Sequence, residues 1–178
     1  MDREPRVLEI IKYGHPTLRV KCAQVTEFND ELRELAESMF LTMAENDGVG
    51  LAASQVNRTV QMLVVGVPKK DTEELLLLAI VNPEIIEGQG AWDFEEGCLS
   101  IPDIRENVTR PEWIRVKYQD LEGKPHTIET AGMLARVLQH EIDHLNGILF
   151  VDRLSPIRRA LLKNRLKELA RETAKTTA

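Results

Sequence analysis

The sequence predicts one α+β domain over residues 1–178, with mixed or antiparallel strands packed around a central helix and further helices near the N- and C-termini. Two observations carry this. The predicted elements run helix, several strands, helix, helix, rather than alternating strand and helix, and that order separates α+β from α/β chains. A length of 178 residues at 43% hydrophobic and 29% charged suits one buried core and is short for two.

The first helix follows "TEFND", where Asn29 or Asp30 caps a run with apolar Leu32, Leu35, Ala36, Met39, Phe40 and Met43 on one helical face, ending near Gly48. "VQMLVVGV" and "LLLLAIVNP" are β-branched or apolar runs closed by Gly or Pro and predict strands, with Leu75 to Val81 expected to be buried. "WIRVKYQD" and "PHTIETAG", joined across "LEGK", predict a hairpin. A central helix is expected from about Ala131 through Leu145, stopped by Asn146 and Gly147. Ser155 as N-cap and Pro156 at the first helical position open a last helix over about 156–174.

Composition narrows the function. The longest apolar stretch, Leu75 to Val81, is far below the roughly 20 residues of a membrane span, so no membrane role is expected. "MDREPRVLEI" carries no basic segment leading into an apolar one, so the cytoplasm is the expected compartment. The two cysteines, Cys22 and Cys98, are too few for a stapled secreted framework. A net charge of -6 excludes DNA or general phosphate-backbone binding as the main activity.

The central helix contains "QHEIDHLNG", with His140 and His144 four residues apart and Glu141 directly after the first. Residues at that spacing stand about 5–6 Å apart on one helix face, so both imidazoles can reach a common metal ion. Glu141, set about 100° around the axis, can reach a water at that ion without ligating it. Packing histidines bonded to carbonyls or water are the alternative. A catalytic site needs a third ligand. The extended protease pattern fails because Phe150 stands where its last histidine would be, and Glu168 and Glu172 lie among the solvent-facing cations of the last helix. His15, in "YGHPT", and His126, in the hairpin, read as surface residues. Cys98, in a glycine-containing turn between strands, remains: a Cys/His/His tripod is coherent catalytic chemistry, while a buried apolar cysteine is the alternative and fits Cys22.

Three motifs, "GVGLAASQV", "EEGCLSIP" and "QHEIDHLNG", resemble those of the peptide deformylases in order and separation, over almost the whole chain. The resemblance implies a metal-dependent amide hydrolase that removes the formyl group from the N-terminal methionine of nascent proteins. It implies one divalent metal on Cys98, His140 and His144, iron in the cell, with zinc, nickel or cobalt as replacements. It implies Glu141 as general acid/base, with Gln55 and the Leu99 backbone N–H as oxyanion donors. By analogy Val49, Phe94, Met133 and Val137 form the methionine pocket, and Gly50 and Glu96 complete the residues expected at the bound peptide. Ordinary core packing is the alternative for the four apolar residues.

Further expectations concern charge. Arg136, on a face where some relatives carry an aliphatic side chain, is expected to line the pocket with its stem while its guanidinium reaches solvent. Arg110 is a candidate partner for Asp143. The last helix, with seven basic residues against two acidic ones from Ser155 onward, either packs Leu161, Leu162, Leu166 and Leu169 on the body or docks on ribosomal RNA. An H-E-x-x-H metallopeptidase, cutting unformylated peptides internally, and a non-catalytic metal-binding module, with no need of Glu141, are the competing functions.

Overall fold

A computed structural model describes residues 4–177; residues 1–3 and 178, the extremities of the expected 1–178 domain, lie outside it. Helix α1 (Asp30–Glu45) starts where Asn29 accepts a hydrogen bond from the Leu32 N–H. Strands β1 (Gly50–Ala52), β2 (Met62–Pro68) and β3 (Leu75–Gln89) come next, then β4 (Trp92–Cys98), β5 (Ile101–Arg110), β6 (Trp113–Gln119) and β7 (Pro125–Ala131). Helix α2 (Gly132–Leu145) and helix α3 (Pro156–Thr176) follow, the latter capped by Ser155 with Pro156 at its first position.

Five strands form an antiparallel sheet in the order β1-β2-β3-β6-β7, and β4 and β5 form a separate antiparallel ribbon. Strand β2 explains the large sheet's core. Side chains alternate across a strand, so Leu63, Val65 and Val67 meet Leu138, Ile142 and Leu145 of α2, while Met62 and Val64 meet Leu32, Ala36 and Met39 of α1. Strand β2 is therefore covered on both faces. A third cluster joins Ile101, Ile104 and Val108 of β5 to Phe150, Leu166 and Leu169, which seats α3 beside the ribbon.

Three expectations change. The "LLLLAIV" run is not wholly buried: Ile80 and Val81 are, but Leu75 and Leu77 are each 53% exposed, because only the middle of β3 enters the core. In α3, Leu166 and Leu169 are buried and Leu162 packs against their cluster, whereas Leu161 is 80% exposed on the solvent side. Strands β1, β4 and β5 are additional elements. In β5 the alternation slips at Asp103, whose φ of 61° is left-handed, so Ile101 and Ile104 share the buried side despite their odd spacing. Among the described residues no helix is long and apolar enough to cross a membrane.

Candidate metal centre

Helix α2 is buried without interruption from Ala135 to Leu145, between the large sheet and the β4–β5 ribbon. One face supplies Leu138, Ile142 and Leu145 to the core, and the neighbouring face carries His140 and His144, whose rings are 5.0 Å apart. Cys98 ends β4, where the pairing with β5 shifts between Glu96 and Cys98 and closes through Leu99 and Ser100. Its Sγ lies 3.3 Å from His144 Nε2. The ligand atoms of Cys98, His140 and His144 all fall within 4.8 Å of one another.

The donor chemistry fits a divalent cation. His140 Nδ1 is 2.7 Å from Glu96 Oε1, so in a neutral ring Nδ1 carries the proton and Nε2 offers its lone pair. Without a cation the cluster is electrostatically uneven. Burial alone would depress His140, yet hydrogen bonds to Cys98 and Glu96 raise it well above its ordinary value. His144, buried and facing a cationic neighbour, is pushed well below. A soft thiolate and two imidazoles in this compact arrangement suit zinc, iron or nickel better than calcium or magnesium.

Gln55 stands on the 3-10 turn Ala53–Val56 that follows β1. Its Oε1 accepts from the Ala52 N–H at 2.9 Å, which fixes the amide so that Nε2 faces Ser100 Oγ at 3.2 Å and Cys98 Sγ at 3.5 Å. Glu141 is buried, and its Oε2 has no hydrogen-bond partner among the described residues. Burial, with the negative charges of Glu96 and Asp143 adding to it, pushes the Glu141 carboxyl up to about 7 although His140 and Arg110 oppose the shift. Gly50 is what allows β1 to lie against it, since a Cβ there would sit 2.7 Å from Val137 Cγ1 and 2.8 Å from Glu141 Oε1.

A cavity of about 440 Å³ opens onto this cluster. Val49, Gly50, Phe94, Met133 and Val137 line it, together with Gln55, Leu99, Cys98 and His140, while His144 lies behind them. Val49 and Met133 stand half exposed at 48% and 41%, while Val137 is buried. A larger hollow, about 620 Å³, lies over the start of α1 and holds none of these groups.

The charged surroundings hold the main departures from expectation. Glu96 also borders the cavity, but both its oxygens are engaged by the protein: Arg110 Nε at 2.6 Å and Nη2 at 3.0 Å, Arg136 Nη1 at 2.8 Å, and His140 Nδ1. It offers a peptide no free oxygen. Burial would raise its carboxyl, but the bonds from His140 and Arg110 outweigh that and hold it well below the usual carboxylate range. The Arg136 guanidinium does not reach solvent. Arg136 is buried, donates to Val108 O at 2.7 Å and to Trp92 O, and lies 4.9 Å from the Trp92 ring, while still bordering the cavity. Arg110 does bind Asp143, at 2.8 Å, and Arg153 joins them. Sequence reasoning misses the tie from Glu96 to His140; the available signal is that a ligating histidine needs a carboxylate or carbonyl on its other ring nitrogen. His15 caps a 3-10 turn and His126 pairs with Asp120, both away from the cluster, and Cys22 is buried in the core.

Comparison with known proteins identifies the family. The polypeptide deformylase family profile matches residues 7–160. A peptide deformylase of Wolinella succinogenes is 47% identical over 167 residues, 93% of this chain and 98% of that protein. One from Opitutus terrae is 42% identical over 181 residues, covering 93% and 94%. Among solved structures, the peptide deformylase of Thermus thermophilus superposes with a TM-score of 0.86 at 42% identity, covering 95% of this chain and 99% of that one. With the family profile and these relatives spanning nearly the whole chain, this protein belongs to the peptide deformylase family.

Proposed function

We propose that this deformylase hydrolyses the N-formyl group of formylmethionyl nascent peptides with the cluster on α2 and β4, releasing formate. The observation that carries this reading is the meeting of three ligand atoms within 4.8 Å beside a buried, unpartnered Glu141 oxygen. Cys98 Sγ and the imidazoles of His140 and His144 would hold one divalent ion, iron in the cell, which polarises a carbonyl and lowers the pKa of water.

The chain's own residues perform the proton and charge handling. Glu141 accepts a proton from the attacking water and passes it to the amide nitrogen as the C–N bond breaks, leaving formate and a free amine. Burial raises the Glu141 carboxyl in the metal-free protein, and a divalent ion beside it would act against that shift. Gln55 Nε2 and the Leu99 backbone N–H donate to the formyl oxygen as it gains charge. Gln55 is pre-aimed, because Ala52 holds its other end. Val49, Phe94, Met133 and Val137 receive the methionine side chain, and Gly50, which borders the same cavity, lets β1 lie close against Val137 and Glu141. Glu96 orients His140 rather than binding substrate. The basic helix α3 serves as a docking element on the ribosome.

The test is formate release from a formyl-Met tripeptide by protein loaded with ferrous iron under anaerobic conditions. Formate and an intact methionyl tripeptide are the expected products. Internal cleavage of an unformylated peptide, with no formate from the formylated one, would replace this reading with the metallopeptidase.

A further inference from the structure

Three consecutive residues near the N-terminus hold the two elements that carry the proposed oxyanion donors. The Ile11 N–H donates to Gln55 O at 2.8 Å, and the Tyr13 N–H to Ser100 O at 2.8 Å. Between them, Lys12 Nζ donates to Leu99 O at 2.9 Å. Gln55 lies on the 3-10 turn after β1, and Leu99 and Ser100 lie in the turn from β4 to β5, distant in sequence and joined directly by the bond from Gln55 Nε2 to Ser100 Oγ, which leaves the Leu99 peptide itself unheld. Residues 11–13 bridge them. The two flanking bonds are backbone bonds that any side chain permits, whereas the central one depends on lysine.

We infer that Lys12 is a positioning residue for the hydrolysis, bracing the Leu99 carbonyl so that the Leu99 N–H is held in register with the Gln55 amide. The inference rests on the proposed reading of the cavity. The two peptide planes that meet at Leu99 Cα share its φ and ψ, so a cation fixed on its carbonyl limits how far its N–H can swing. Such a restraint acts where charge develops on the formyl oxygen. Misplaced donors lose transition-state stabilisation while ground-state binding, governed by the apolar cavity, is retained.

Lys12→Met in the full-length iron-loaded protein should lower kcat about five-fold with KM unchanged, the loss of one restraining hydrogen bond to a peptide. Lys12→Arg, which keeps a cationic donor, should recover most of that loss. In the metal-free protein, amide hydrogen exchange at Leu99 and Ser100 should be faster in Lys12→Met than in wild type or Lys12→Arg. A wild-type kcat in Lys12→Met overturns the inference. So does an equal loss in both variants with unchanged exchange at Leu99 and Ser100. The wild-type rate measured alongside separates the two readings: absence of formate release in wild type sinks the deformylase assignment of the cavity, while normal release in all three proteins sinks only the role of Lys12.

Discussion

Helices α2 and α3 are both rich in charge, yet they use it in opposite ways. From Ala135 to Leu145 every residue of α2 is buried, including Arg136, His140, Glu141, Asp143 and His144. Over the 21 residues of α3 only Leu166, Leu169 and Thr173 are buried. Charge in α3 meets water, and an exposed pair such as Arg165 with Glu168 adds little to stability. Charge in α2 must be matched by protein groups, so each side chain there has a fixed partner or a conspicuous lack of one. Glu96 and Glu141, both beside His140, show the two outcomes: one carboxylate fully engaged, the other with a bare oxygen. Burial turns the same residue types from solvating groups into determinants of structure and reactivity.

The sharpest way to break the contrast is to neutralise the unpartnered acid. Glu141→Gln preserves shape against Gly50 and should retain the metal and the fold, but lower formate release about 10²- to 10⁴-fold, the usual worth of a positioned acid/base. Elemental analysis of the same preparation separates lost chemistry from lost metal. Activity within a factor of two of wild type would remove the proton-transfer role.

A smaller effect, on stability, should follow from unpairing the engaged acid. Arg136→Leu strips one buried guanidinium from Glu96, Val108 and Trp92, and breaking a buried ion pair costs about 3–5 kcal/mol. The matching change on α3, Arg171→Leu at an exposed position, should stay within about 0.5 kcal/mol. Urea unfolding of both variants measures the difference. Equal midpoints would show that Arg110 alone satisfies Glu96.

The pH dependence of the metal-free protein sharpens the comparison further. The Glu96 carboxyl is lower in the folded chain than its ordinary 4.5, so its contribution is complete above that pH and is lost as pH falls below it. Glu141 runs the other way. Its carboxyl rises from 4.5 to about 7, so the folded state keeps a proton that the unfolded chain has released, and stability falls as pH climbs through that window before levelling off. Thermal unfolding across about pH 4 to 8 should show this decline in wild type and a flatter profile in Glu141→Gln. Parallel profiles would mean that Glu141 is solvated in solution.

Much of this is legible in sequence where the signal is local. The caps Asn29 and Ser155, the face of α1, the β6–β7 hairpin and the His140/Glu141/His144 spacing each depend on residues within a few positions of one another. Cys98 requires elimination and a family resemblance, because a thiol 42 residues before His140 carries no spacing signal of its own. The ribbon is hidden by the left-handed Asp103, which breaks its alternation. Arg136 departs from expectation for a related reason: an arginine reads as solvent-facing, and the groups that bury it, Glu96, Trp92 and Val108, come from a ribbon distant in the chain.

The smallest expected effect on turnover concerns the exposed helix. Lys163, Lys167, Arg171 and Lys175 recur every four residues along α3 and form one ridge, and among the described residues none has a carboxylate within salt-bridge distance. Arg158, Arg159 and Arg165 are already paired with Glu106, Asp152 and Glu168. A free basic ridge on a protein of net charge -6 is suited to an anionic surface such as ribosomal RNA, where each neutralised phosphate adds to the salt dependence of binding. Truncating the helix would be a poor test, because Leu166 and Leu169 belong to the cluster with Phe150 and their loss would open the core. Charge reversal leaves that cluster intact. Lys163→Glu, Lys167→Glu and Arg171→Glu together should leave formyl-tripeptide turnover within about two-fold while abolishing salt-sensitive co-sedimentation with ribosomes, since surface substitutions of this kind hardly touch stability. Undiminished co-sedimentation of the folded triple variant would assign the ridge to solubility alone and leave α3, in contrast to α2, without a recognised chemical partner.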